Sequence, residues 1–328
     1  MKKDIILKHL ILFLLIFLLL SILLYNLYTF EKFTNIQKPN NHEEEYLLPI
    51  LRLIYNDDIK FINNSDTLIL TQGSMPESNR IPYIFMDGEP RIESNNNYKK
   101  ALNDKYCVAC IITSKAVEND KTFYVPMFLN RGHEVFTSSP FIKKYLDIPR
   151  NKLAAYIANH SPKHRSDFFN TLKSLDITNT TDGLGKGNHT KDVKLPSIWY
   201  YLPEVYKDYK FGLAMENTDE DGYITEKIMN VFLGGAIPIY WGTSKVKEIF
   251  NPESFIYVND YISFEECAKD IIAISNDEER YKTIQNAPIF IENTNIDFSK
   301  YYDIPPPKWV IDIADKIKQN IDNIIEVL

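Results

Sequence analysis

Between Tyr209 and Asn259 the chain reads YKFGLAMENTDEDGYITEKIMNVFLGGAIPIYWGTSKVKEIFNPESFIYVN, a run that brings carboxylates, an amide, a phenol and a lysine close to one strand end. Phe211 to Met215 reads as a buried strand and Thr225 to Leu233 as the helix after it, so Glu216, Asn217 and Tyr223 fall in the loop between them. In an open α/β sheet the loops that follow the strands border the ligand crevice. The start of the next helix adds free N–H groups and the positive end of its dipole, an environment suited to a diphosphate. Lys227 lies in the first turn of that helix, where a cation is unfavourable unless an anion faces it. Neighbouring Glu226, the acidic Asp219, Glu220 and Asp221, or a bound diphosphate could each supply that anion, and these residues alone do not choose between them.

The elements that must position this loop follow from the apolar pattern. Leu68 to Leu70, Ile81 to Met86, Tyr106 to Ile112 and Phe123 to Leu129 are short apolar stretches separated by polar turns and helix-length segments, as in an α/β half. A second series begins with Leu153 to Ala158 and continues into a helical run, His164 to Leu175, with Phe168, Phe169, Leu172 and Leu175 on one face. Buried strands are expected at Phe211 to Met215, Ile237 to Trp241 and Phe255 to Val258, with helices at Thr225 to Leu233 and Phe264 to Ile274 between them. The pattern predicts two doubly wound α/β halves with a seam near Arg150. The closing segment, Lys308 to Leu328, has Ile311, Ala314, Ile317 and Ile321 at helical spacing and is expected to pack back on the body. There is no internal repeat and no phosphate-binding G-x-G-x-x-G.

Composition sets the outer limits. The chain has 328 residues, is 45% hydrophobic and carries a net charge of -7, so it can bury a full core, and it offers no general basic surface for nucleic acid. An anionic ligand must then be held by a few placed Lys and Arg side chains. Three cysteines are too few for a disulfide framework, and the C-x-x-C of Cys107 and Cys110 sits in an apolar run that suits packed strand cysteines better than redox or metal chemistry. From Leu10 to Tyr28 the chain is apolar except for Ser21 and Asn26, long enough to cross most of a roughly 30 Å hydrocarbon layer. Lys2, Lys3 and Lys8 precede the span, which keeps the N-terminus cytoplasmic and turns the body toward the lumen or exterior. Polar residues Thr34 to Glu45 then read as a short stem. The expected layout is a tip and transmembrane anchor at 1–30, a stem at 31–45, α/β domains at 46–150 and 151–300, and a final helix at 301–328.

The stretch from Tyr209 to Asp260 resembles the donor site of the α-1,3/α-1,4-fucosyltransferase family through FGLAMEN (Phe211 to Asn217), YITEK (Tyr223 to Lys227), GAIPIYWG (Gly235 to Gly242) and FNPESFIYVND (Phe250 to Asp260). Upstream, ANHSPKHRSDFFNTL from Ala158 to Leu172 is similar to the family's strand-loop-helix with an Arg before an apolar helix, in the same order. The likeness is dense over residues 150–292. Before that it is limited to the anchor and stem layout, IPYIFMDGEP (Ile81 to Pro90) and YVPMF (Tyr124 to Phe128).

The resemblance implies a GT-B fold of two Rossmann-like domains, an acceptor domain followed by a GDP-sugar domain, behind the N-terminal transmembrane helix. It implies fucose transfer from GDP-fucose to a hydroxyl of an oligosaccharide, glycoprotein or glycolipid acceptor, with inversion and with no metal cofactor. Carried over by position, Arg165 and Lys227 would neutralise the diphosphate, and Glu226, Asn217 and Tyr223 would contact the nucleoside and sugar. DGEP resembles the family's strand-end turn whose Glu is the base, which makes Glu89 the candidate, with Asp87 and Glu93 as local alternatives. Asp219 and Asp221 form a D-x-D of the kind that holds a divalent cation in other glycosyltransferases, but inside this loop they read as a solvated acidic segment. GDP-mannose is the rival donor, and a glycan-binding protein without turnover is the rival class. With its anchor, such a protein is expected to be a type II membrane protein of the Golgi or secretory pathway.

Overall fold

The computed structural model describes residues 35–37, 60–62, 68–76, 80–114, 119–128, 145–192, 195, 202–291 and 308–325. The apolar span Leu10 to Tyr28 lies outside them, and among the described residues no helix is long and apolar enough to cross a membrane.

The first half contains β1 (Asn35–Gln37), β2 (Lys60–Ile62), β3 (Leu68–Gln72), β4 (Tyr83–Asp87), α1 (Asn96–Asn103), β5 (Cys107–Ile112) and β6 (Thr122–Tyr124). All its strands are parallel, in the order β2-β1-β3-β4-β5-β6. Asn35–Gln37, expected in the stem, is a strand inside the sheet: it pairs with both β2 and β3, and three residues are too few to show a strand pattern in the sequence. Of the apolar run Phe123 to Leu129, only Phe123 and Tyr124 are strand; Val125 and Pro126 leave the sheet and Met127 and Phe128 form a short 3-10 turn.

One irregularity in this sheet has a chemical result. The register passes from Tyr83 opposite Cys107 to Ile84 opposite Ala109, so Val108 is an extra residue in β5. Strict alternation would put Cys107 and Cys110 on opposite faces. The bulge puts both on the face that packs against α1, as free, fully buried thiols with their Sγ atoms 3.6 Å apart.

The second half contains β7 (Lys152–Tyr156), α2 (Lys163–Leu175), β8 (Thr181–Gly183), β9 (Tyr209–Met215), α3 (Glu226–Leu233), β10 (Ile237–Trp241), β11 (Ile256–Tyr257), α4 (Phe264–Asn276) and α5 (Glu278–Asn286). Its parallel strands run β11-β10-β9-β7-β8. From β7 the chain moves out to β8, then returns to lay β9, β10 and β11 on the other side, which makes β7/β9 the switch point of a doubly wound sheet. The core confirms the winding. Phe168, Phe169 and Leu172 of α2 and Cys267, Ala268 and Ile271 of α4 pack with Ala154, Phe211, Leu213 and Ile239 on one face. On the other face Ile228, Met229, Val231 and Phe232 of α3 pack with Ala155, Ala214 and Tyr240. Each buried Phe, Leu, Ile, Val or Met among them contributes about 1.5–3 kcal/mol, so burial outweighs the marginal stability of α2 as an isolated helix.

The final helix, α6 (Lys308–Ile325), returns to the first half, where Ala314 and Ile317 are buried and Asn320 Nδ2 donates to Val108 O at 2.9 Å. Val108 is the bulged residue of β5.

The short strand β8 depends on Asp176, the residue that ends α2. Its buried carboxylate accepts from the backbone N–H groups of Thr178, Thr180 and Thr181 and from the hydroxyls of Thr178 and Thr181. Burial alone would raise its pKa, but these bonds outweigh burial and hold the carboxyl below the ordinary carboxylate range. A depressed folded value gives stability that is present above the unfolded pKa and is lost as the pH falls through the folded one. Asp176→Ala is therefore expected to lower stability by about 2–4 kcal/mol near neutral pH, with the deficit shrinking below about pH 4. Thermal melts across pH 3–7 would show this, and a deficit independent of pH would refute the ionic account.

Candidate active site

The switch point brings two loops side by side, one from β7 into α2 and one from β9 into α3. Neither helix has a side-chain cap at its N-terminus, so both offer unsatisfied N–H groups and positive dipole ends to the same crevice.

Arg165 lies in the first turn of α2 and is 2% exposed. Its Nη1 donates to His160 O at 3.3 Å, while Nε and Nη2 are buried without a hydrogen-bond partner. A solvated helix cap is therefore excluded. Leaving a buried donor unmade costs about 1–3 kcal/mol, more for a charged group, which a bound anion would recover.

Across the switch point, Glu216 is fully buried and points inward. Its Oε1 accepts the Thr225 N–H at 2.7 Å, its Oε2 accepts the Thr225 hydroxyl at 2.8 Å, and the Lys227 ammonium sits 3.1 Å from Oε2. Glu216 thus holds the first turn of α3 rather than facing the crevice. Gly242, at φ +152, makes room for it, since a Cβ there would lie 3.0 Å from Glu216 Cγ. Lys227 also donates to Thr225 Oγ1 at 2.8 Å, so two of its three ammonium protons are used. Its partner inside the protein is Glu216, and neither Glu226 nor the acidic loop takes that place. Burial opposes the charge, but the fields of Glu216 and Glu226 outweigh it and raise the ammonium above its ordinary value, against the repulsion of Arg165. Lys227 stays cationic with one proton to give.

Tyr223 is buried, and its phenol is pushed up first by burial, then by the charges of Glu216, Glu89 and Glu226, with Arg165 pulling the other way. Glu216, Glu89, Glu226 and Arg165 thus all act on the Tyr223 phenol, and Glu216, Glu226 and Arg165 act on the Lys227 ammonium. Asn217 is exposed at the head of the loop, and Glu226 is half-buried in the first turn of α3.

Glu89 comes from the other half of the molecule. It is exposed in the turn after β4, and no hydrogen bond or ion pair engages its carboxylate among the described residues. Asp87 is buried and structural, its carboxylate accepting the Glu89 N–H at 2.9 Å and the Asn95 amide that also caps α1. Glu93 is exposed, and its charge adds only to a rise in the Tyr98 phenol that burial dominates. Of the three carboxylates near the DGEP turn, Glu89 is the one that the Tyr223 phenol senses.

Two residues of the site escaped the sequence reading. His164 stacks on Trp241 with ring centroids 4.0 Å apart, and its Nε2–H donates to Glu216 O at 3.0 Å, tying the start of α2 to the end of β9. Burial holds this imidazole below its ordinary pKa. Its place one residue before Arg165 and that of Trp241 at the end of β10 were the available signals. Among the described residues no three His, Cys, Asp or Glu side chains gather into a group that could hold a metal ion.

Residues 148–286 match the family description "Glycosyltransferase family 10 (fucosyltransferase) C-term". R654 of Acanthamoeba polyphaga mimivirus, which carries a provisional fucosyltransferase name, is 31% identical over 227 residues, 66% of this chain and 34% of the viral protein. The α-(1,3)-fucosyltransferase FucT of Helicobacter pylori is 35% identical over 114 residues, 34% of this chain and 22% of that protein. The matches thus span about a third or less of these relatives' own length. A solved α1,3-fucosyltransferase shares the fold at 20% identity and TM-score 0.58, over 87% of this chain and 89% of that one. Residues 148–286, the half that holds Arg165, Glu216 and Lys227, are a C-terminal domain of glycosyltransferase family 10, the fucosyltransferases.

Proposed function

We propose that this protein transfers L-fucose from GDP-fucose to a hydroxyl of a glycan acceptor in one inverting displacement. The observation that carries the reading is the buried Arg165 guanidinium, with two unpartnered donors, facing the same switch point as Lys227. Both charges belong to the family-10 domain, and a solved fold neighbour is an α1,3-fucosyltransferase in complex with GDP-fucose. The acceptor oxygen attacks the anomeric carbon as the bond from that carbon to the GDP oxygen breaks. Glu89 takes the hydroxyl proton, while Arg165 and Lys227 stabilise the charge that develops on the departing diphosphate. Arg165 offers a planar fork for phosphate oxygens and Lys227 a point charge. In this reading Asn217, Tyr223 and Glu226 contact the nucleoside and sugar. In this reading the two halves are the acceptor and donor domains of a GT-B enzyme, and the span Leu10 to Tyr28 anchors it with the body facing a lumen.

The test is GDP release from the full chain supplied with a panel of GDP- and UDP-sugars and a glycan array. Turnover of GDP-fucose with a glycan supports the reading, whereas preference for GDP-mannose, or glycan binding without turnover, replaces it. Activity is expected to persist in EDTA, since two fixed cations stand at the diphosphate position. Complete loss on chelation, restored by Mn²⁺, would instead make Asp219 and Asp221 metal ligands.

A further inference from the structure

The acidic segment Asp219-Glu220-Asp221 reads in the sequence as a solvated stretch, but its middle residue crosses to the other half of the molecule. Both carboxylate oxygens of Glu220 accept the backbone N–H of Arg91, at 2.8 and 3.0 Å. Arg91 is a non-glycine residue in the left-handed region, φ 61 and ψ 41, at the end of the turn that carries Glu89, a conformation that persists where the surroundings hold it. The other end of that turn is held by Asp87, which accepts the Glu89 N–H at 2.9 Å. Glu89 therefore stands in a turn whose backbone is held by two carboxylates, Asp87 at Glu89 itself and Glu220 at Arg91.

Glu220 is itself firmly placed. Its carbonyl accepts the Tyr223 N–H at 3.0 Å, and the loop docks on the first half through the Tyr124 hydroxyl, which donates to Gly222 O at 2.7 Å, and the Phe128 N–H, which donates to Ile224 O at 3.2 Å. Gly222, at φ +78, lies so close to Tyr124 that a Cβ would fall 2.8 Å from the ring. The loop that carries Asn217 and Tyr223 is thus in fixed register with the turn that carries Glu89.

We propose that Glu220 is a positioning residue for Glu89: it ties the acceptor-side turn to the donor-side loop, so that the carboxylate that takes the proton is set by the same segment that lines the donor. This inference rests on the reading of Glu89 as the base. The Glu220 carboxylate touches no reacting atom in this scheme, and it acts through the Arg91 backbone. Of the conservative changes, Gln keeps the length and one acceptor oxygen, whereas Ala removes both.

The experiment is a double-mutant cycle in the full chain, with kcat, KM and GDP affinity measured for wild type, Glu220→Ala, Glu220→Gln, Glu89→Gln and Glu89→Gln/Glu220→Ala. Glu220→Ala is expected to lower kcat about tenfold with GDP affinity within about twofold, because a displaced base slows the chemical step without touching the diphosphate site. Glu220→Gln should recover most of that loss. With Glu89 already replaced, Glu220→Ala should have no further effect on residual turnover, since its action runs through a carboxylate that is no longer there. An equal loss in both backgrounds, or a fall in GDP affinity as large as the fall in kcat, overturns the proposal. A full loss in Glu220→Gln with unchanged melting temperature also overturns it. No turnover by wild type, or Glu89→Gln at wild-type rate, removes the underlying reading and this inference with it; an additive cycle beside an inactive Glu89→Gln removes the inference alone.

Discussion

Lys227→Ala is expected to lower kcat/KM for the sugar donor by about 10²–10³ and to weaken GDP binding, the largest loss at the donor end of the crevice. The change removes two interactions at once. The first is the ammonium proton left over after Glu216 and Thr225 are served. The second is the counter-charge of Glu216, which is fully buried and would remain beside Thr225 alone. Breaking a buried pair from one side typically costs about 3–5 kcal/mol, enough to confuse lost folding with lost binding. A second variant separates them. Lys227→Ala/Glu216→Gln replaces the stranded carboxylate with a neutral amide of the same shape, which should restore most of the melting temperature and none of the GDP affinity. If GDP binds Lys227→Ala within about twofold of wild type and only the melting temperature falls, Lys227 is a structural partner of Glu216 and the diphosphate assignment is lost.

The same pair shows where sequence reasoning reached its limit. Strands β9 and β10 were legible because parallel strands buried on both faces are continuous apolar runs, and Phe211 to Met215 and Ile237 to Trp241 are such runs. The loop between β9 and α3 was legible for the same reason, and so was the crevice beside it. The direction of the Glu216 carboxylate was not, since a residue just past a strand can face the crevice or turn under the next helix, and both positions carry the same letter. Thr225 and Lys227 hold the carboxylate under α3, and the missing side chain of Gly242 leaves it room. Strand β8 was illegible because Thr181–Gly183 has no apolar pattern of its own. It is held by the Asp176 network and by Tyr209, whose hydroxyl donates to Asp182 Oδ2 at 2.8 Å. The Cys107 and Cys110 pair reads as opposite-facing until the bulge at Val108 is known, and a bulge is set by the neighbouring strand. The crossing of Glu220 to Arg91, 129 positions apart, is a property of how the two halves meet and has no local signature.

Glu89→Gln should separate chemistry from binding. A neutral amide keeps the size of the carboxylate but cannot take a proton, so kcat is expected to fall by roughly 10² or more while GDP affinity stays near wild type. The loss should persist at saturating donor and acceptor alike, because the missing step lies after both have bound. Asp87 supplies the control. It is buried, and its oxygens hold the Glu89 N–H and the Asn95 amide, so Asp87→Asn is expected to lower the melting temperature and to slow turnover only in proportion to the loosened turn. Glu93 is exposed and is not among the charges that act on Tyr223, and Glu93→Gln should leave kcat unchanged. Near-normal turnover by Glu89→Gln beside a dead but folded Asp87→Asn would move the base to Asp87 while leaving the donor site in place. If none of the three carboxylates affects kcat, the proton leaves by another route and the DGEP turn has no part in the chemistry.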